Sequence, residues 1–130
     1  MKTLASILAC TALVLGGTTA LARSGPTGEE RLAHMLEGRV AGQPMRCIND
    51  FHGKDVQVID RVGVVYDAGN TLWVARASDP ESLRDRDILI VERLSGATLC
   101  RDDIKRTIDR VDGSLRSVVF VSDFVPYRRA

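Results

Sequence analysis

From Met45 onward the apolar residues come in short β-branched runs, each broken by a turn signal, and this pattern limits more than any other what the chain can fold into. Met45 to Ile48, Val56 to Ile59, Val62 to Tyr66, Thr71 to Ala77, Ile88 to Val91 and Ser117 to Val121 all read as strands. Asp67-Ala68-Gly69-Asn70 is a turn, so Val62 to Ala77 reads as a hairpin. On its second arm Thr71, Trp73 and Ala75 point one way and Leu72, Val74 and Arg76 the other. Asp60 to Gly63 marks either a turn between two strands or a bulge within one. Ile104 to Val111 fits a helical stripe or a strand, and the strand is preferred because Asp112-Gly113 then turns the chain into Ser117 to Val121. Ile88-Leu89-Ile90-Val91 is apolar on both faces, which predicts a central strand covered from both sides. Phe124 to Tyr127 is expected to pack over the end of the sheet, ahead of a basic tail.

One helix precedes the strands. Thr27-Gly28-Glu29-Glu30 has the form of a capping box, Leu32, Met35 and Leu36 fall on one face, and Gly38 is a left-handed stop. About three turns of helix are too short to be stable alone, so the stripe must dock on the sheet. The predicted class is α+β and mostly β: one N-terminal helix packed on a curled antiparallel sheet or small barrel of six to seven strands.

Residues 1–22 read as a cleaved export signal: Lys2 is the positive n-region, Leu4 to Leu15 is almost continuously apolar, and Ala20-Leu21-Ala22 is a small-x-small cleavage site. Gly16, Gly17, Thr18 and Thr19 interrupt the run before it reaches the length of a membrane span. Leu8-Ala9-Cys10 has the look of a lipoprotein processing box, but too few apolar residues precede it. Residues 23–130 then form a single small β-rich domain, periplasmic or secreted, with no transmembrane anchor once the signal is removed. That domain keeps Cys47 and Cys100, an even pair in an oxidising compartment, and a disulfide between them is the preferred reading. A zinc site would also need His34 and His52, and no CxxC or HxxxH spacing brings such ligands together locally.

Without Lys2 the 18 basic residues become 17, equal to the 17 acidic ones, a poor balance for a chain that must neutralise nucleic-acid phosphates. Catalytic constellations are scarce. There is no G-x-S-x-G elbow, and His34 sits four residues after Glu30, where a helix-surface ion pair is expected. Asp50, His52 and Asp55 are the one candidate cluster for a divalent metal or an acid and base pair, although such residues also suit a solvated loop between strands. Asp85, Asp87, Asp102 and Asp103 are expected to cap turns or solvate strand ends, and Trp73 to sit in the core. No catalytic residue, metal ligand or cofactor is assigned.

Leu36 to Pro44 leading to Cys47-Ile48, then Val65-Tyr66-Asp67, Asp87-Ile88-Leu89, Leu99-Cys100 and Phe124-Val125-Pro126-Tyr127, resemble a group of small exported bacterial proteins of unknown function. The resemblance implies export, a cysteine pair and a bacterial source, and it implies no mechanism. Ser95-Gly96-Ala97 is similar to the loop with which periplasmic lysozyme inhibitors engage their enzyme, but the aromatic and Lys-Gly elements expected after it are missing. The expected function is a non-enzymatic periplasmic or secreted binding module with an unknown protein or small-molecule partner. The alternative is a small hydrolase or metal-dependent enzyme using Asp50, His52 and Asp55.

Overall fold

The computed structural model describes residues 25–49, 55–93, 96 and 98–130. The export signal, the Cys10 box, Asp50, His52, Ser95 and Ala97 lie outside them. Among the described residues the chain is mostly β, with one α-helix and antiparallel sheets.

Helix α1 spans Gly28–Met35. Thr27 and Glu30 form the expected capping box, with the Glu30 carboxylate accepting the Thr27 amide at 2.7 Å and the Thr27 hydroxyl accepting the Glu30 amide at 3.2 Å. This use of Glu30 replaces the ion pair expected with His34, which lies exposed in the last turn. Gly38 follows with φ +70°, the left-handed geometry its position predicts.

Five strands form the main sheet in the order β1 (Arg39–Ala41), β10 (Val125–Arg129), β5 (Thr71–Arg76), β4 (Gly63–Asp67) and β3 (Asp55–Ile59). A two-stranded sheet pairs β2 (Cys47–Ile48) with β7 (Leu99–Cys100), and a three-stranded sheet runs β6 (Ile88–Glu92), β8 (Ile104–Ile108), β9 (Leu115–Val119). The strand reading of Ile104 to Ile108 holds, as does the hairpin of β4 and β5, whose turn is fixed by Gly69 at φ +83° and by its amide on the Asp67 carboxylate at 2.8 Å. The choice left open at Asp60 resolves into a second hairpin, β3 to β4, which turns through Arg61 at φ +55°.

The main sheet is buried on both faces. One face sends Val58, Val64, Tyr66, Trp73 and Ala75 into the larger core, where Ile48, Leu99, Val119, Val121 and Phe124 meet them from the smaller sheets and their ends. The other face sends Ile59, Val65, Leu72 and Val74 under α1, against Leu32, Met35 and Leu36. Trp73 therefore sits in the core, and the helix docks through its predicted stripe.

Three expectations are overturned. Ile88 to Val91 is not a central strand: β6 is an edge of the three-stranded sheet, and its Ile88 and Ile90 are 40% and 41% exposed. The both-face burial belongs to β4 and β5 instead, because helix and core cover the main sheet while nothing among the described residues covers the outer face of the smaller one. Phe124 to Tyr127 does not simply cap the sheet, since β10 lies inside it between β1 and β5 and takes Arg128 and Arg129 with it. Pro126 pairs with Trp73 of β5 and lies past the last β1 pair, Ala41 with Tyr127, so that its carbonyl accepts the Gly42 amide at 2.7 Å. Lastly, Val118 to Val121, whose apolar composition predicts a buried run, is only half buried: Val119 and Val121 face the core, while Val118 and Phe120 face out.

Candidate functional site

Alternation along β6, β8 and β9 sorts their side chains into two sets. Leu89, Val91, Lys105, Thr107 and Val119 point inward. Ile88, Ile90, Ile104, Leu115, Val118 and, just beyond β9, Phe120 are all exposed, Phe120 at 70%. The pairings Ile90 with Arg106 and Arg106 with Val118 set Arg106 in the middle of this outward set, and Glu92 neutralises it at 2.6 Å. The result is an apolar sheet face with one internally matched pair of charges. Contiguous apolar exposure of this kind is uncommon on a soluble monomer.

A polar cleft of about 260 Å³ opens beside this sheet. β3 is an edge of the main sheet and β6 an edge of the three-stranded one, and the two lie side by side in different sheets. Val56, Val58, Ile88 and Leu89 give the cleft apolar walls, Gln57 of β3 adds a neutral amide, and Arg31 of α1, Asp85 and Asp87 before β6, and Arg110 of the β8–β9 turn are its charged residues. Arg31 pairs with Asp85 at 3.7 Å and reaches Gln57 at 3.4 Å, while Arg110 donates its Nε to the Arg86 carbonyl at 3.1 Å.

Asp87 stands apart from the other carboxylates. The residue is 4% exposed, and neither carboxyl oxygen has a hydrogen-bond partner. Its nearest cation, the Arg116 Nε, is 3.9 Å away, and another nitrogen of that guanidinium is committed to Asp109 at 2.6 Å. The turn-capping role expected of Asp87 is therefore a misreading, since burial of the β6 start against β3 removes it from solvent. No local signal could have shown this: Asp85-Arg86-Asp87 reads as a solvated turn until the two sheet edges are brought together.

The other acidic residues behave as expected. Asp103 accepts the Cys100 amide at 2.7 Å and caps the turn after β7. Asp102 takes Arg46, whose guanidinium holds the carboxyl below its ordinary pKa. Cys47 and Cys100 are directly paired in the β2–β7 ladder and joined by a disulfide. The inward Lys105 was not foreseen as a structural residue; it is fully buried, and its ammonium donates to the carbonyls of Cys100, Arg101 and Asp103 at 2.9, 3.1 and 3.0 Å. Desolvation lowers its pKa, and the charges of Asp103 and Asp102 oppose that shift.

Of the Asp50, His52 and Asp55 cluster, Asp55 alone falls within the described residues, as the first residue of β3 opposite Asp67. Among the described residues no three His, Cys, Asp or Glu side chains gather into a metal-holding group. No helix among them is long and apolar enough to cross a membrane. Compared with protein-family models, curated proteins and solved structures, the chain matches none.

Proposed function

We propose that this protein is an exported, non-enzymatic binding module that acts in the periplasm or outside the cell, and that it docks a partner protein through the outer face of β6, β8 and β9. The observation that carries this reading is the apolar set Ile88, Ile90, Ile104, Leu115, Val118 and Phe120, exposed together on one side of a twisted sheet. Burying such a face against a complementary apolar surface is favourable in proportion to the area removed from water. Because Arg106 and Glu92 already satisfy one another, the face asks for no net charge from its partner. A protein surface with an apolar centre fits that requirement better than a polyanion or a small polar ligand.

Export is supported by the Lys2, Leu4 to Leu15 and Ala20-Leu21-Ala22 features of the sequence and by the disulfide, which persists in oxidising compartments. The resemblance to small exported bacterial proteins is part of the same proposal. So is the curled or barrel-like arrangement: the bridges Met45 with Phe124 and Ala77 with Val121 support reading the three sheets as one wrapped structure around the larger core.

Photo-crosslinking tests the docking face directly. A photoreactive residue at position 90 or 118, in the tagged mature chain returned to its native envelope, should give one dominant adduct with a different protein. Val118→Asp should abolish the adduct formed from position 90 while leaving the circular dichroism spectrum unchanged. Adducts with a second copy of this chain, or adducts that survive Val118→Asp, would overturn the reading.

A further inference from the structure

We infer that the cavity between β2, the β4–β5 turn and β10 binds a small monocarboxylate with an apolar body, its carboxylate on Arg128 and its body against Trp73 and Met45. Sheet register builds this cavity. β10 pairs with β5 so that Pro126 lies opposite Trp73 and Arg128 opposite Thr71, and alternation puts all four on the face of the main sheet that forms the larger core. Trp73 is the last residue of that core on β5, counting towards the turn. Beyond it Thr71 is half-buried and Arg128 exposed, and a cavity of about 390 Å³ remains there, bounded on its far side by Met45 and the end of β2.

Arg128 is the one charged residue in the lining. Its guanidinium lies 5.9 Å from the centre of the Trp73 ring and pairs with no carboxylate among the described residues. Arg46, Arg76, Arg101, Arg106 and Arg116, by contrast, each hold a carboxylate within 2.8 Å. The aromatic ring positions the cation without neutralising it. Because Arg128 is exposed, an anion from solvent reaches it directly. A guanidinium presents two parallel N–H donors that match a carboxylate. The single charge selects a monoanion: a cation finds no partner in the lining, and a dianion such as phosphate finds only half of its charge matched. Asn49, Asn70 and Thr71 add neutral polar groups, while Trp73 and the 45% exposed Met45 offer the body an apolar and adaptable contact. The volume lies at the lower end of the range usual for small-ligand sites. No residue of this lining belongs to the outer face of β6, β8 and β9, so the inference does not depend on the docking proposal.

The test titrates the purified protein with four probes, reading Trp73, its one tryptophan, by fluorescence and the backbone amides by chemical shift. Phenylacetate carries both elements, phenylacetamide the body alone, acetate the charge alone, and phenethylamine the body with the opposite charge. Phenylacetate should change the Trp73 emission saturably and move the amides of Asn49, Thr71 and Arg128. It should bind about ten-fold more tightly than phenylacetamide, the difference expected from one charged hydrogen-bonding pair. Acetate and phenethylamine should bind more weakly still. Arg128→Gln should bring phenylacetate down to the affinity of phenylacetamide, and Arg128→Lys, which keeps the charge, should bind phenylacetate more tightly than Arg128→Gln does. The inference is overturned by the absence of phenylacetate shifts at these amides, by phenylacetamide or phenethylamine binding as tightly as phenylacetate, or by a folded Arg128→Gln chain that binds phenylacetate like the unaltered one.

Discussion

Replacing Lys105 by methionine removes one ammonium group and keeps a side chain of similar length, so the stability change reports on that charge. The residue lies on the inward face of β8, opposite Val91 and Val119, with its Nζ 6.0 Å from the centre of the Phe124 ring. Two effects oppose one another. Taking the ammonium out of water costs several kcal/mol, and replacing a whole buried charged network by apolar groups is often neutral or stabilising for that reason. Here, however, only the donor is removed, and three backbone carbonyls remain. Those of Cys100 and Arg101 are part-buried and can turn to water, whereas the bond to the Asp103 carbonyl is buried. An acceptor orphaned in this way costs about 1–3 kcal/mol. Taking about 2 kcal/mol, the melting temperature should fall by roughly 8–16 °C for a domain of this size. Urea unfolding followed by Trp73 fluorescence, with a parallel thermal scan by circular dichroism, measures both quantities. A Lys105→Met chain as stable as the unaltered one, or more stable, would refute the argument and show that desolvation of the ammonium cancels its three bonds. The pH dependence gives a second check. Because burial lowers the folded-state pKa beneath the unfolded value of about 10.4, the unfolded chain holds more protons in the window just below that value. Stability contributed by this group therefore rises with pH through that window, and the gap between the unaltered chain and Lys105→Met should widen there.

The disulfide closes a sequence separation of 53 residues, so Cys47→Ala, Cys100→Ala and the double variant should each lose roughly 4 kcal/mol in denaturant titrations. A double variant clearly worse than either single one would show that the cysteines contribute separately. Gly63→Ala should destabilise by about 1–3 kcal/mol, because a Cβ there would run into the Ala75 carbonyl and the Arg76 backbone across the β4–β5 ladder; an unchanged melting temperature would contradict that packing. Acid should weaken the fold. Asp109 is held below its ordinary pKa by the Val111 and Asp112 amides, Glu30 by Thr27, and Glu29 by Arg76. Their contributions are complete above the unfolded carboxyl values near pH 4 and are lost as pH falls through the lower folded ones, so the urea midpoint should drop as pH falls below about 4. A midpoint that stays flat there would rule these contacts out as sources of stability.

Local chemistry is legible in the sequence alone. The Thr27 and Glu30 capping box, the Asp67 to Asn70 turn, the strand over Ile104 to Ile108 and the pairing of Cys47 with Cys100 each rest on signals contained in a few residues or in a count of two cysteines. Backbone dihedral preferences, capping hydrogen bonds and side-chain alternation act over that range, so short stretches of chain determine them. Which surfaces become covered is a different kind of question. Ile88 to Val91 carries the composition of a buried strand and lies at an edge, while Val125 to Arg129, which contains a proline and two arginines, is threaded between β1 and β5. Lys105 occupies the core because three carbonyls of the turn ahead of it converge on its ammonium. Asp87 loses its solvent because β3 and β6, with two further strands between them in the chain, come to lie side by side. Burial and hydrogen-bond satisfaction depend on contacts between segments remote in the chain, and no window of sequence contains both partners. Tertiary packing therefore decided where the apolar face lies and which carboxylate lines the cleft.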